Sequence, residues 1–495
     1  MMKIHRNFLK ITRVFLSLVF FIVYTFLFFV GYGKITNLLG SIQVIPAILS
    51  VRNGQLFLVF ALAVIILLTL TTGRFYCAFL CPTGGLQEFL LLFRRKNFRY
   101  RKKNKYFLLF SIGIFIFSLF GFSILLRFFD PFGIFGKFVV LIIKPVAIFI
   151  YNIVGWGLSG LKIYSGYYSL YGISIFALFY IAGFLIICLI LARSHGRLYC
   201  NYLCPIGTIL GIFSAVSLLK LKISDSCIKC GRCEKVCPAL CIDYKNGEID
   251  FSRCLLCGNC ISICPYNSIK FEPSYKKFFT SRNEFFMLSG NFFSLSLFLP
   301  FLKRESKGIA HKIFYPFPPG GISFEHIASN CVSCFLCVSN CPTRVIKPSF
   351  KEYGLDILLP VMDYSRGYCS YDCILCGEIC PTEAIKPLSL DEKHLVKMGE
   401  AKLIKSQCIV YKFEKSCGAC AEICPTTAVH MISYKNGLTA PEVSPEFCIG
   451  CGACEYACPA LPEKAIYVEG MKIHTRVKKP ERSIDKKEGL EEFPF

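Results

Sequence analysis

The sequence predicts an α-helical membrane domain of four spans, with a candidate fifth, followed by α+β domains folded around cysteine. Two observations predict it. Hydrophobic residues make up 54% of the 495 residues and mean hydropathy is +0.53, too apolar for an ordinary soluble chain. Of 30 cysteines, 24 fall into six quartets that each close on Cys-Pro, which suits metal-bearing thiolates better than disulfides of a small secreted domain. A chain of this length has room for about three domains. The formal charge of +24 would suit nucleic acid, but eight basic residues sit between Arg94 and Lys105, where membrane proteins place them anyway. No nucleic-acid partner is expected.

The membrane domain is assigned to residues 1–222. Basic residues Lys3, Arg6, Lys10 and Arg13 precede an apolar run from Val14 to Val30. The run is long and no small-residue cleavage site follows, so it reads as an uncleaved first span. Further apolar runs cover Leu56 to Leu70, Tyr106 to Leu126 and Tyr171 to Ala192, each near the roughly 20 residues a bilayer helix needs. The stretch from Phe138 to Val154 is apolar too, but Lys144-Pro145 interrupts it, so an interfacial or re-entrant piece is expected. The loop with Arg94, Arg95, Lys96, Arg99, Arg101, Lys102, Lys103 and Lys105 should be cytoplasmic, and four spans return the chain to that side at Arg193 and Arg197. Trp156, Tyr164, Tyr167, Tyr168 and Tyr171 would form an aromatic belt on the other face.

A repeat marks the cytoplasmic ends of spans two and four. Gly73-Arg-Phe-Tyr-Cys77-Ala-Phe-Leu-Cys81-Pro82-Thr-Gly84 matches Gly196-Arg-Leu-Tyr-Cys200-Asn-Tyr-Leu-Cys204-Pro205-Ile-Gly207 at eight of twelve positions, which implies duplicated two-span halves. Cysteines four apart share a helix face. Pseudo-symmetry could bring Cys77, Cys81, Cys200 and Cys204 to one redox or metal site; the alternative is a duplicated packing turn with small buried cysteines. Cys188 and Cys241 have no partners in this scheme and read as core residues.

Residues 223–273 carry Cys227, Cys230, Cys233 and Cys237-Pro238, then Cys254, Cys257, Cys260 and Cys264-Pro265. Three cysteines at two-residue gaps wrap one side of a [4Fe–4S] cube, and the fourth arrives from elsewhere. This looks like a bacterial-type ferredoxin domain, in which the fourth cysteine of each run crosses to the other cluster. The pairing would be Cys227, Cys230, Cys233 with Cys264, and Cys254, Cys257, Cys260 with Cys237.

Residues 274–329 form a connector. Thr280-Ser-Arg282-Asn283-Glu-Phe-Phe286 looks like a decayed twin-arginine signal, and residues 285–302 are a candidate fifth span. Asn291, Pro300, Lys303, Arg304 and Lys307 tell against a span, so the compartment of the C-terminal half stays open. Residues 330–475 hold four more quartets, the second with one extra residue in its first gap and the third with eight residues there. Crossed pairing would give Cys331, Cys334, Cys337 with Cys380, and Cys369, Cys373, Cys376 with Cys341. It would likewise give Cys408, Cys417, Cys420 with Cys458, and Cys448, Cys451, Cys454 with Cys424. The recurrence of Tyr244-Lys-Asn-Gly247 as Tyr434-Lys-Asn-Gly437 supports one repeated unit. Residues 476–495 read as a charged tail, with disorder expected from Lys472 onward. Each oxidised cluster with its thiolates carries about −2, so six would cancel about half the positive surplus.

Four spans, two Cys-x-x-x-Cys-Pro repeats and a two-cluster tail resemble the NapH family of membrane ferredoxin-type proteins, whose relatives include YccM and the membrane part of NosR; the likeness covers about residues 1 to 273. Residues 280 to 475 are similar to NapG-like four-cluster proteins, through the Pro-Pro-Gly lead-in, the eight-residue gap after Cys408 and the export-like segment. The resemblance implies α+β dicluster ferredoxin domains, quinol oxidation and electron delivery through iron–sulfur clusters in a bacterial cytoplasmic membrane, without fixing the acceptor. Six quartets would hold six [4Fe–4S] clusters, a reductase or cytochrome is the expected redox partner, and the basic residues put 223–273 on the cytoplasmic side. Quinol chemistry needs a proton acceptor, for which Asp130 stands first and Arg127 and His195 second; Asp130-Pro131 also reads as an ordinary turn. The alternative function is an assembly or maturation factor that reduces a metal ion or disulfide through the repeat cysteines. A third treats the chain as a subunit whose clusters merely link a dehydrogenase and a reductase. No nucleotide loop, triad or molybdenum-pocket signature appears, so a self-contained substrate enzyme is not expected.

Overall fold

The computed structural model describes residues 2–94, 96–119, 121, 123–159, 174–273, 314–350, 352 and 356–478. Connector residues 274–313, the tail from 479, Arg95, and Tyr164, Tyr167, Tyr168 and Tyr171 lie outside the described residues.

The N-terminal helical region runs through α1 (Met2–Val30), α2 (Gly33–Ser41), α3 (Val44–Arg52), α4 (Leu58–Thr72), α5 (Phe75–Phe79), α6 (Pro82–Leu90), α7 (Lys105–Leu119), α8 (Ile124–Phe129), α9 (Pro131–Phe138), α10 (Lys144–Ser159), α11 (Ile175–Ser194) and α12 (Pro205–Ala215). Among the described residues three helices are long and apolar enough to cross a membrane, Phe8–Val30, Pro131–Gly157 and Ile175–Arg193, and the pair Gly33–Ser41 and Val44–Arg52, bent by 102°, makes a fourth if counted as one broken span. The expected second and third spans are shorter helices, Leu58–Thr72 and Tyr106–Ser118. The third stops early because Gly121, at φ +91°, separates α7 from α8. Phe15 and Ile22 on α1, Phe60 and Leu67 on α4, and Phe179 and Ile187 on α11 stay exposed, as lipid-facing side chains would.

The stretch expected to be interfacial or re-entrant is instead the middle of the continuous helix Pro131–Gly157. A π turn at Val139–Ile143 sits just before Lys144-Pro145 and absorbs the proline's missing N–H. Lys144 is not stranded in lipid, since its ammonium donates to Ser339 O at 2.7 Å and Ser339 Oγ at 2.8 Å.

Four helices reach from the 223–273 domain at one end to the 314–478 half at the other. At the near end of α1, Lys10 and Leu9 pack on Gly258; at its far end Ser339 Oγ donates to Phe28 O at 2.6 Å. Before α4, Gln55 bonds Glu383, and after it Gly73 packs on Phe251. Lys103, just before α7, donates to Ser252 at 3.2 Å, whereas Gly121 beyond α7 faces Ser329. Phe176 at the start of α11 stacks on Phe350, 4.7 Å between centroids, and past its end Arg197 N–H donates to Pro238 O at 2.9 Å. The basic loop joins the near end, with Phe98 N–H on Lys235 O and Arg101 N–H on Leu240 O. The two cysteine-rich regions therefore sit at opposite ends of the bundle. Asp356 pairs with buried Arg127, and Ser329 and Asn330 accept from Arg52 nearer the surface, so polar contacts fasten the far half to the bundle.

The near domain pairs β1 (Leu219–Ile223) antiparallel with β4 (Ile269–Pro273), around the two-residue ladder of β2 (Ile242–Asp243) and β3 (Glu248–Ile249). The far half repeats the plan in β5 (Ile346–Pro348) with β6 (Pro360–Met362), β7 (Val396–Leu403) with β10 (Ile466–Arg476), and β8 (Val429–Ser433) with β9 (Thr439–Val443). β10 runs past Lys472 to Arg476, so the folded region extends beyond the point where disorder was expected.

Candidate cluster sites

The standard quartets share one local geometry. In Cys227-Ile-Lys229-Cys230-Gly231, Cys254-Leu-Leu256-Cys257-Gly258, Cys331-Val-Ser333-Cys334-Phe335 and Cys448-Ile-Gly450-Cys451-Gly452, the residues on both sides of the second cysteine have positive φ. Two left-handed residues flanking one cysteine curl the chain around a point, so successive side chains and amides face inward. Glycine or a small cost in strain serves this turn, which is why the two-residue gaps recur.

Three cavities are lined by sulfur sets of the crossed pairing. Cys331, Cys334, Cys337 and Cys380 line one cavity. Cys424, Cys448, Cys451 and Cys454 line a second, and Cys408, Cys417, Cys420 and Cys458 a third. Cys376 lies within charge range of Cys369, Cys373 and Cys341. Cys260 stands likewise to Cys254, Cys257 and Cys237, and Cys233 to Cys227 and Cys230. Cys264 is half-buried at the C-cap of the helix Asn259–Ile263. The eight-residue gap after Cys408 is taken up without moving its sulfur off its cavity, and Cys369 stays within charge range of Cys376 despite its longer gap.

The surroundings suit an iron–sulfur cube. Burial pushes the Cys420 and Cys233 thiols up to about 11 and Cys451 up to about 12, with neighbouring thiolates adding to the rise. Several sulfur charges in one dry cavity repel unless cationic iron binds them. Amides point at the sulfurs: Ser333 N–H to Cys331 Sγ at 3.3 Å, Ile385 N–H to Cys380 Sγ at 3.5 Å and Ala401 N–H to Cys448 Sγ at 3.5 Å. Such bonds tune a cluster's potential. Among the described residues no three His, Cys, Asp or Glu side chains close on one point as ligands of a single metal ion would; the quartets stand apart around a cavity. A [4Fe–4S] cluster in such a cavity supplies one-electron redox chemistry.

The repeat cysteines are also brought together. α4 stops at Gly73, φ +104°, and α11 at Gly196, φ +62°. Cys77 lies on α5 and Cys200 on the π turn Tyr199–Leu203, while Cys81 and Cys204 are the N-caps of α6 and α12 with the same φ −75°, ψ 115°. Pro82 and Pro205 take the first helical position, where a missing N–H costs nothing. All four sulfurs are buried, and Cys81 lies within charge range of Cys77, Cys200 and Cys204. Cys188 is in the same core near Cys200. Cys241, expected only as core, has its Sγ 3.5 Å from Cys237 Sγ, and its hydrogen bond draws the Cys237 thiol down to about 7.

The three proton-acceptor candidates are not assembled. Asp130 is buried as the N-cap of α9, its Oδ2 accepting from Gly133 N–H at 2.6 Å. Arg127 turns to Asp356 and Ala328 O. His195 caps α11 at the other end of the bundle, beside Arg101 and Lys96. The turn reading of Asp130-Pro131 is the one this geometry fits.

Fold and cavities together define a protein with several [4Fe–4S]-type domains, and comparison with known sequences agrees. The model of a 4Fe-4S binding domain matches residues 53–101 and 176–224, the two copies of the cysteine repeat. That of a 4Fe-4S dicluster domain matches residues 226–269 and 407–461. Among relatives, one uncharacterised protein of Methanocaldococcus jannaschii is 31% identical over 174 residues, 35% of this chain and 54% of its own length. A second from the same organism is 29% identical over 185 residues, 37% of this chain and 66% of its own length. The chain thus spans less than two thirds of either. YccM of Escherichia coli, whose given name points to electron transport, is 45% identical over 42 residues, 8% of this chain and 12% of its own length. No solved structure matches.

Proposed function

We propose that this protein is a membrane-bound electron conduit, NapH-like at its N-terminal half and NapG-like at its C-terminal half. It would take electrons from the quinol pool and pass them through [4Fe–4S] clusters to a reductase or cytochrome. The observation that carries the reading is the placing of two cysteine-rich regions at opposite ends of one helix bundle, with a four-cysteine site buried between them.

The chain spaces its quartets in a row. Cys420 lies near Cys454, and Cys369 N–H donates to Cys451 O at 2.9 Å. Cys376 lies near Cys337, and Lys137 within charge range of Cys331 and Cys334. Asp130, near Lys137, is also near Tyr76 and Tyr199, which border Cys81 and Cys204. Arg197 then lies near both Cys200 and Cys257. Packed side chains exclude water along this row and hold each site in place, so little rearranges when charge moves.

The test uses the full chain in sealed proteoliposomes, with menaquinol in the bilayer and an impermeant electron acceptor on one side. The expected result is cluster reduction by menaquinol and acceptor reduction that Cys77→Ser with Cys200→Ser abolishes. Clusters that stay oxidised with menaquinol would sink the quinol assignment, and acceptor reduction unaffected by the double variant would sink the path through the bundle.

A further inference from the structure

The repeat contains more than its cysteines, and the arginine three residues before the first cysteine of each copy crosses into the other half. Arg74 donates to Asn201 Oδ1 at 2.6 Å and to Cys200 O at 2.8 Å. Arg197 reaches back, with Nη1 3.9 Å from where a Cβ on Gly84 would stand and Nη2 on Glu88. The closing glycine of each copy makes room. A Cβ on Gly207 would fall 2.1 Å from Cys200 O and 2.6 Å from Arg74 Nη2, and one on Gly84 would fall 2.8 Å from Cys77 O.

Charge in this core does not balance by itself. Both arginines are buried, 1% and 3% exposed, and the Nε of each has no hydrogen-bond partner. Among the described residues no carboxylate pairs with Arg74, whose acceptors are neutral. Arg197 shares the single Glu88 carboxylate with Arg13. Two buried positive charges are therefore left over; Arg74 lies within charge range of Cys200 and Cys204, and Arg197 lies between Cys200 and Cys257. A buried cation of this kind persists only where an anion answers it.

We propose that Arg74 and Arg197 are positioning residues that supply the counter-charge for a dianionic [4Fe–4S] cluster held by Cys77, Cys81, Cys200 and Cys204, and that they raise its reduction potential. The inference rests on the proposed function's bundle site. The oxidised cluster with four thiolates carries about −2 and gains one more negative charge on reduction. A neighbouring cation stabilises the reduced form more than the oxidised form, so it lifts the potential, and its removal lowers it.

The test is an anaerobic redox titration of the full chain, followed by low-temperature paramagnetic resonance, with the bundle signal assigned by its loss in Cys77→Ser. Arg74→Gln and Arg197→Gln should each lower that cluster's midpoint, Arg197→Gln also lowering that of the neighbouring cluster at Cys257, with the remaining clusters in place, while Arg74→Lys and Arg197→Lys recover most of the fall. A bundle cluster present at full iron with an unmoved midpoint in both glutamine variants overturns the inference. If a glutamine variant loses iron from this site alone and the lysine variant keeps it, the counter-charge role stands; loss in both means the arginines act by shape and overturns it. Failure of the underlying reading looks different: wild-type protein with about 24 irons rather than about 28, and no signal that depends on Cys77.

Discussion

Gly136→Ala is the sharpest test of how the far half sits on the bundle. Gly136 lies on α9 where a Cβ would fall 2.1 Å from Cys334 O and 2.9 Å from the Phe28 ring. Ordinary contact begins near 3.4 Å, so one backbone must retreat by about 1 Å, and neither is a flexible side chain. Overpacking of this kind costs about 1–3 kcal/mol. The displaced carbonyl belongs to a cysteine that lines the Cys331 cavity, so iron at that site should loosen as well. Gly183, within α11, is the control, because nothing lies within 4 Å of its Cβ position. Gly183→Ala should instead stabilise by up to about 1 kcal/mol through helix propensity. The assays are the thermal midpoint of detergent-solubilised protein, iron per chain, and transmembrane electron transfer in proteoliposomes. If Gly136→Ala matches wild type in all three, the packing of α9 on the Cys334 loop is wrong.

Two further outcomes concern the sites themselves. Crossed ligation means Cys380→Ser and Cys334→Ser strike one cluster, so the double variant should lose about four irons; Cys380→Ser with Cys373→Ser should lose about eight. Equal loss in the two pairs would contradict the cavity assignment. At the near end of the bundle, burial would lift the Glu88 carboxyl, but Arg197 and Arg13 beside it draw it down to about 2. A lowered carboxylate stabilises the fold above its ordinary value near 4.5, by about 3 kcal/mol, and that contribution is lost as pH falls through about 2. Glu88→Gln should cost about 3–5 kcal/mol at neutral pH by stranding two buried arginines, and should abolish that part of the acid sensitivity, read by thermal unfolding against pH.

The cysteine cages were legible because ligand spacing is a local property. Gaps of two residues, a closing proline and a fixed crossing rule need no knowledge of distant contacts, and the cavities at Cys331, Cys408 and Cys448 have the expected sulfur sets. The repeat signalled its arginines, tyrosines and glycines as plainly as its cysteines, since eight positions matched. Reading the cysteines alone missed the cross-strap. Lys144-Pro145 reads as a break in the sequence, yet the helix continues through it, because Ser339, some two hundred positions away, supplies acceptors for the charge.

Apolar run length and thiolate spacing are written along the chain, and they were enough to read candidate membrane spans and [4Fe–4S] domains. The folded chain was needed to see that the second set of quartets lies across the bundle from the first, and that two surplus arginine charges lie beside the repeat cysteines. Both depend on contacts between residues far apart in sequence, such as Phe28 with Ser339 and Arg74 with Cys200, and no local pattern encodes where a chain will return.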